Sequence, residues 1–260
     1  MSVTEVIRPK AKTELRHVRM LINGAWVDSL SGMTLTVGNP AKRRLIATIP
    51  RGDAADVEGA VEAAARAFAA WSKVAPRERG RLLLRVADKM EAEAEEIARM
   101  IVLETGNALR TQARGEARLA ADIFRYFGGL AGELKGETIP LGEHVLSYTR
   151  REPLGVVGAI IPWNAPVLLG ALKIAPALCA GNTLVLKAAE DAPLAVLMMA
   201  AICQKFLPAG ALSVLTGRGE ECGGPLARHP LVRKLSFTGS RAQRCGLVVS
   251  NYRKKTSRFL

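Results

Sequence analysis

Val156-Val157-Gly158-Ala159-Ile160-Ile161 is an unbroken apolar run that is rich in β-branched residues. Such a run is typical of a strand buried on both faces, as in a parallel sheet covered by helices. Shorter runs predict further strands at 183–186, 213–215 and 235–237, with helices at about 167–179 and 193–206 and a short one after Gly219. Each gap leaves room for the crossover that parallel strands require, so the pattern predicts an α/β fold with a doubly wound parallel sheet.

The residues that follow these strands form the candidate site, because ligands of such sheets bind beyond the carboxyl ends of the strands. They are polar or turn-forming in every case: Pro162-Trp163-Asn164, Lys187-Ala188-Ala189-Glu190, Thr216-Gly217-Arg218-Gly219 and Thr238-Gly239-Ser240. This set suits a dinucleotide, since Lys and Glu side chains bracket ribose hydroxyls, glycines let the backbone approach a pyrophosphate, and a helix N-terminus favours the anion. The spacing of Gly217, Gly219 and Gly223 departs from the usual dinucleotide fingerprint, and alone it indicates only a Gly-rich turn.

The residues before 150 carry no obvious chemistry and are interpreted as scaffold. Asn23-Gly24, flanked by apolar residues, predicts a β-hairpin. Asp53 caps a predicted helix that runs to Trp71, and Pro76 opens a second helix that Gly106 ends. A third helix is predicted at about 111–128, followed by extended structure after residue 136.

Composition and charge argue against several other classes of protein. The 260 residues are 49% apolar with a net charge of +13, and the six basic residues at 241–260 have no acidic neighbours there. Because positive and negative charges are nearly balanced in the residues between the two ends of the chain, we interpret this tail as a solvated end and expect no nucleic-acid partner.

The longest apolar stretch, 192–203, is shorter than the roughly 20 residues of a membrane span, and no signal-type run opens the chain. We therefore expect a cytoplasmic protein without a membrane partner. The cysteines and histidines lack metal-ligand spacing, so no metal is expected.

Several stretches resemble, in the same order, the aldehyde dehydrogenase family. They are Ile22-Asn23-Gly24-Ala25-Trp26-Val27, Asn39-Pro40-Ala41, 153–164, 173–178, 180–183, Leu207-Pro208-Ala209-Gly210 and Ser236-Phe237-Thr238-Gly239-Ser240. The resemblance covers residues 20–240 and implies the family's NAD-binding region there, between an N-terminal tail at 1–19 and a divergent basic tail at 241–260. It also implies a Rossmann-like fold in incomplete form, with N-terminal helices and an oligomerisation hairpin at about 136–151, and hence a homo-oligomer.

The resemblance assigns roles to the candidate residues. Asn164 resembles the amide of the oxyanion hole, although a turn residue between two prolines is the plainer interpretation. Lys187 and Glu190 resemble the clamp on the adenine ribose, with a helix N-terminal charge pair as the alternative; the Glu190 carboxylate favours NAD over NADP. Trp163 fits core packing equally well. The other positions that resemble the cofactor site are Ile160, Ile161, Pro162, Trp163, Gly219, Gly223, Phe237, Thr238, Gly239 and Ser240.

Three departures from the family pattern limit what the resemblance implies. Ala188 stands where the family has proline, Ala165 stands where an aromatic residue is common, and the sequence leaves the pattern after Ser240. The positions of the family's catalytic cysteine and general-base glutamate do not occur. We therefore expect a truncated oxidoreductase of the family, which oxidises an aldehyde to a carboxylic acid with NAD through a cysteine thiohemiacetal. This chain would hold the cofactor cradle and the oxyanion amide and would be inactive alone. The alternatives are a non-catalytic assembly module that pairs with a full-length paralogue and, less favoured, a basic nucleic-acid binder.

Overall fold

The structure is a computed structural model that describes residues 15–240. Five short strands open this part: β1 (Arg16–His17), β2 (Met20–Ile22), β3 (Ala25–Val27), β4 (Thr34–Asn39) and β5 (Arg44–Pro50). β5 lies at the centre of a three-stranded sheet between β1 and β4. β2 and β3 form the predicted hairpin around Asn23-Gly24, where both turn residues have positive φ, as a tight hairpin turn requires.

Four helices follow, of which the last three belong to one layer of the molecule. They are α1 (Ala54–Trp71), α2 (Pro76–Ala92), α3 (Ala94–Thr105) and α4 (Arg114–Leu130), the last preceded by a π-helical turn at Leu109–Ala113. Asp53 caps α1 as predicted, in a capping box with Asp56. The single helix predicted from Pro76 to Gly106 is wrong, because the backbone leaves the helical region at Glu93 (φ −105°, ψ 10°). After the break, α2 packs mainly on α4, whereas α3 contacts both α4 and α6.

The second half of the described chain alternates strands and helices. After a small two-stranded hairpin of β6 (Thr138–Pro140) and β7 (Leu146–Tyr148) come β8 (Val156–Ile160), α5 (Pro166–Cys179), β9 (Thr183–Lys187), α6 (Leu194–Gln204), β10 (Leu212–Leu215), α7 (Gly224–Arg228) and β11 (Val232–Phe237). The strand order of the main sheet is β11-β8-β9-β10-β2-β3, with the four later strands parallel. The predicted parallel α/β sheet is therefore confirmed. What the sequence did not predict is that β2 pairs antiparallel with β10 and extends the same sheet.

Apolar side chains fill both faces of the main sheet. On one face Val185, Ile160 and Leu215 pack against α1 and α7. On the other face Leu184, Leu186 and their neighbours pack against the layer formed by α2 to α6. This double coverage explains why the strands are unbroken apolar runs in the sequence. Within residues 15–240, no helix is both long and apolar enough to cross a membrane.

The crossing of α2 and α4 depends on a close backbone approach at Gly80 and yields a test of the packing. A Cβ atom at Gly80 would overlap the carbonyl oxygen of Gly128 and lie 3.1 Å from the Cβ of Ala131. Overpacking of this kind costs about 1–3 kcal/mol, so Gly80→Ala should lower the free energy of unfolding by that amount in urea titrations. Gly59→Ala is the matched control, since Gly59 lies within α1 and a methyl group added there would have nothing within 4 Å. It should raise stability by about 0.5–1 kcal/mol. Equal effects of the two substitutions would contradict this account of the crossing.

Candidate functional site

The carboxyl ends of the four parallel strands are aligned at one edge of the main sheet. Phe237 pairs with Ile160, Ile160 with Lys187, and Lys187 with Leu215. Ladder hydrogen bonds continue one residue further, from Thr238 N to Ile160 O (3.0 Å), from Ile161 N to Lys187 O (3.3 Å) and from Ala188 N to Leu215 O (2.9 Å). The loops that carry the candidate residues therefore leave the sheet from a common line, which we call the carboxyl edge.

Lys187 and Glu190 form an ion pair at this edge. The Lys187 side chain is only 3% exposed, and its Nζ lies 2.5 Å from Glu190 Oε2, whose side chain is 37% exposed. Burial acts to raise the pKa of the Glu190 carboxyl. The Lys187 ammonium and the backbone N–H of Gly219 outweigh that effect and hold the pKa below its usual value. Lys187 ends β9 and Glu190 lies in the loop before α6, so the pair bridges a strand end and a loop.

The three glycines after β10 lie in different surroundings. Gly219 begins a π-helical turn that ends at Gly223, and its N–H reaches the Glu190 carboxylate. Gly217 has φ +143°, and a Cβ there would lie 2.6 Å from the carbonyl oxygen of Gly52. Gly223 faces Ile160, whose Cδ1 would lie 3.3 Å from a Cβ at that position. At Gly217 and Gly223, glycine therefore permits close packing against other parts of the chain. The sequence pattern alone did not predict this packing.

The loop before α1 is fastened to the loop after β10, a contact that sequence reasoning missed. Thr216 donates its hydroxyl to the carbonyl of Pro50 (2.7 Å), and Gly52 N donates to the carbonyl of Thr216 (3.1 Å). Arg51 forms a two-pronged ion pair with Glu221, with Nε 2.7 Å from Oε2. These partners lie 164 to 170 positions apart in the chain, so no local signal marks them.

The loop after β8 carries Trp163 and Asn164, both exposed. Trp163 is 53% exposed, so core packing as an interpretation of this residue is wrong. The carbonyl of Asn164 accepts a hydrogen bond from Asn107 Nδ2 at 3.0 Å, which ties this loop to the segment after α3.

The remaining candidates differ in how far they are buried. Ile160 and Ile161 are buried, Ile160 on the face of the sheet toward α1 and Ile161 on the opposite face. Pro162 and Phe237 are half-buried, and Gly239 and Ser240 are exposed directly after β11. All of them lie on strand ends or first loop residues of the carboxyl edge.

Two buried glutamates near the edge were also missed by sequence reasoning. Glu104, at the end of α3, accepts hydrogen bonds from the backbone N–H groups of Leu194 (2.6 Å) and Ala195 (2.9 Å). Glu116, in the first turn of α4, accepts from those of Val167 (2.9 Å) and Leu168 (3.3 Å). These are the first turns of α6 and α5, the helices that follow the Glu190 loop and the Asn164 loop.

Cys222 lies in the π-helical turn after β10, close enough to the charges of Lys187 and Glu190 for them to act on its thiol. Burial raises the pKa of its thiol to about 12. A thiol with such a pKa stays protonated at neutral pH, so Cys222 is a packing residue and not a nucleophile. No group of three or more metal-ligating side chains occurs in the part of the chain that the structure describes.

Comparison with known proteins identifies the family. Residues 26–254 match the model of the aldehyde dehydrogenase family. This chain belongs to the aldehyde dehydrogenase family. Phenylacetaldehyde dehydrogenase of Pseudomonas fluorescens is 47% identical over 231 residues, which are 85% of this chain and 46% of that protein. The family match runs past Ser240 into residues that lie outside the described part, so the predicted boundary at 240 stays a prediction.

Solved structures of aldehyde dehydrogenases share the fold. The NAD⁺ complex of the Bacillus cereus aldehyde dehydrogenase superposes with a TM-score of 0.89 at 33% identity, over 92% of this chain and 49% of that one. An NADP-dependent enzyme of E. coli superposes with a TM-score of 0.88 at 35% identity, over 90% of this chain and 49% of that one. The chain thus spans about half the length of the relatives it matches.

The buried Glu104 should make the stability of this chain depend on pH. Burial raises the pKa of Glu104 from its ordinary 4.5 to about 8; its two backbone donors oppose this shift, and the nearby Glu116 adds to it. Between these pH values the folded state binds more protons than the unfolded state. Stability therefore falls as pH rises, by up to about 1.4 kcal/mol per pH unit. Glu104→Gln should flatten this fall in urea unfolding curves taken from about pH 4 to about pH 8.5, a range that brackets the window. The control Glu96→Gln, at an exposed position on the same helix, should leave the fall of stability with rising pH unchanged. If Glu104→Gln also leaves it unchanged, Glu104 is not the group responsible.

Proposed function

We propose that this chain supplies the NAD-binding part of an NAD-dependent aldehyde dehydrogenase, which oxidises an aldehyde to a carboxylic acid, and that the carboxyl edge is its cofactor site. The observation that supports this most is the ion pair of Lys187 and Glu190 at the aligned ends of β8, β9, β10 and β11. Ligands of doubly wound sheets bind at this edge. The solved NAD⁺ complex of a relative with the same fold agrees with the choice of cofactor.

The residues present at the edge fit a dinucleotide. Lys187 can donate to a ribose hydroxyl and Glu190 can accept from one, and the ion pair and the Gly219 N–H hold both groups in place beforehand. A carboxylate with a lowered pKa stays ionised at neutral pH and repels a 2′-phosphate, so NAD is the proposed cofactor rather than NADP. When bound, NAD accepts the hydride that leaves the substrate.

Asn164 is the proposed oxyanion donor. Its side chain is exposed at the edge, while its backbone carbonyl is held by Asn107. An amide aimed at a developing oxyanion contributes about 3–4 kcal/mol to transition-state stabilisation. The resemblance implies no counterpart of the family's nucleophilic cysteine and general-base glutamate in these residues, so the polypeptide is proposed to bind the dinucleotide without turnover.

A second candidate function, assembly with further copies of the family, has its own support. The β6–β7 hairpin exposes apolar side chains, with Leu146 80% and Tyr148 67% exposed. Contiguous exposed apolar surface commonly marks an interaction site. We propose that this hairpin joins subunits in a homo-oligomer, a role that is compatible with cofactor binding at the carboxyl edge.

Titration with NAD tests the cofactor site directly. Lys187→Met and Glu190→Gln should each raise the Kd for NAD about tenfold or more, because each removes a charged hydrogen-bonding group. Glu190→Gln should also narrow the preference for NAD over NADP, since the repelling carboxylate is gone. Lys73→Met and Glu96→Gln make the same chemical changes at exposed positions and should leave both Kd values unchanged. An unmodified polypeptide that binds no NAD, yet self-associates, would favour assembly as its function.

Turnover is the complementary measurement. The 260-residue polypeptide, incubated with NAD and a panel of aliphatic and aromatic aldehydes, should give no sustained rise in NADH absorbance. The physical reason is that hydride transfer in this family follows covalent attack by a thiolate, and burial raises the pKa of the Cys222 thiol. A sustained rate that persists in Cys222→Ser but disappears in Asn164→Ala would show that another group of this chain serves as nucleophile.

A further inference from the structure

The helices α5 and α6 begin without local caps. The residue before α5 is Ala165 and the residue before α6 is Pro193, and neither side chain makes a capping hydrogen bond. The first backbone N–H groups of a helix have no partner within the helix, and leaving them buried and unpaired is costly. Buried carboxylates from elsewhere in the chain take that place, as the contacts of Glu104 and Glu116 show.

Both carboxylates come from one region of the scaffold. Glu104 lies in the last turn of α3 and Glu116 in the first turn of α4, on either side of the turn that contains Asn107. Glu104 is 4% and Glu116 8% exposed, so neither hydrogen-bonded carboxylate is a flexible surface contact. Glu104 binds the first turn of α6, the helix that follows the Lys187–Glu190 loop. Glu116 binds the first turn of α5, and Asn107 binds the carbonyl of Asn164 in the loop before that helix.

We infer that Glu104 and Glu116 are positioning residues, which anchor the two loops of the carboxyl edge to the N-terminal helical layer by capping α6 and α5 from a distance. Each loop is then fixed at both ends, at one end by its strand and at the other by its glutamate. The effect on cofactor binding rests on the proposed function, whereas the anchoring itself does not.

The two sites differ in a way that sharpens the test. Leu194 and Ala195 donate to different oxygens of Glu104, whereas Val167 and Leu168 donate to the same oxygen of Glu116. A glutamine at Glu116 keeps one carbonyl oxygen and can still accept both bonds. A glutamine at Glu104 can keep only one of its two bonds, because its amide nitrogen is a donor. A methionine at either position keeps the length of the side chain and removes the acceptors.

Hydrogen exchange read by mass spectrometry on the full chain tests the anchoring. Glu104→Met should speed exchange about tenfold in peptides that cover 188–196, and Glu116→Met should do so in peptides that cover 162–169, each with little effect on the other loop. Glu116→Gln should exchange almost as the unmodified chain does, whereas Glu104→Gln should lie between the unmodified chain and Glu104→Met. Glu96→Gln is the control on the same helical layer. Exchange that rises evenly over the whole chain, or in neither loop, would overturn the inference.

NAD titration of the same variants tests the consequence for the site. Glu104→Met should raise the Kd for NAD about threefold to tenfold, in conditions where urea curves show the variant folded. If the 188–196 loop loosens while the Kd stays the same, the positioning role is overturned and the proposed cofactor site stands. If the unmodified chain binds no NAD, the proposed function fails, and the exchange pattern alone then supports or overturns the anchoring.

Discussion

The ammonium group of Lys187 is the constraint on which the carboxyl edge depends. Taking a charge out of water costs several kcal/mol unless it is paired and hydrogen-bonded. Lys187 is buried at the end of a central strand, and its partner Glu190 comes from the loop that follows. The Gly219 backbone N–H also acts to lower the pKa of Glu190, which places the start of the turn after β10 close to this ion pair.

The helical layer contributes to the same edge from the other direction. Glu104 and Glu116 satisfy the first N–H groups of α6 and α5, and Asn107 holds the carbonyl of Asn164. The cost is a pair of buried carboxyl groups whose pKa values are raised by burial. Apolar residues of the same volume would leave those N–H groups buried and without a partner, which costs about 1–3 kcal/mol for each group. The two glutamates therefore satisfy buried donors and, as inferred above, also hold the loops in position.

The sequence predicted the parts of the fold whose signals are local. The apolar run at 156–161 marked a doubly covered strand, and Asn23-Gly24 marked a hairpin, because burial and turn geometry each leave a direct trace in neighbouring residues. The helix break at Glu93 was missed because the apolar stripe continues across it. Glu104 was missed as a cap because its partners lie 90 and 91 positions away. Gly217 was interpreted only as part of a Gly-rich turn, and its close approach to the backbone of the loop before α1 was missed because that loop is distant in sequence.

Ala188, which stands where the family pattern has proline, has a structural explanation. A proline at the position after Lys187 would stiffen the loop through its ring but would have no N–H group. Ala188 is fully buried, and its N–H donates to the carbonyl of Leu215 at 2.9 Å, which adds one more ladder bond between β9 and β10. This chain therefore holds the start of the Glu190 loop by pairing it to the adjacent strand. With the hydrogen bond at one end and Glu104 at the other, the loop is constrained without the proline, so the missing ring is no argument against an ordered cofactor site.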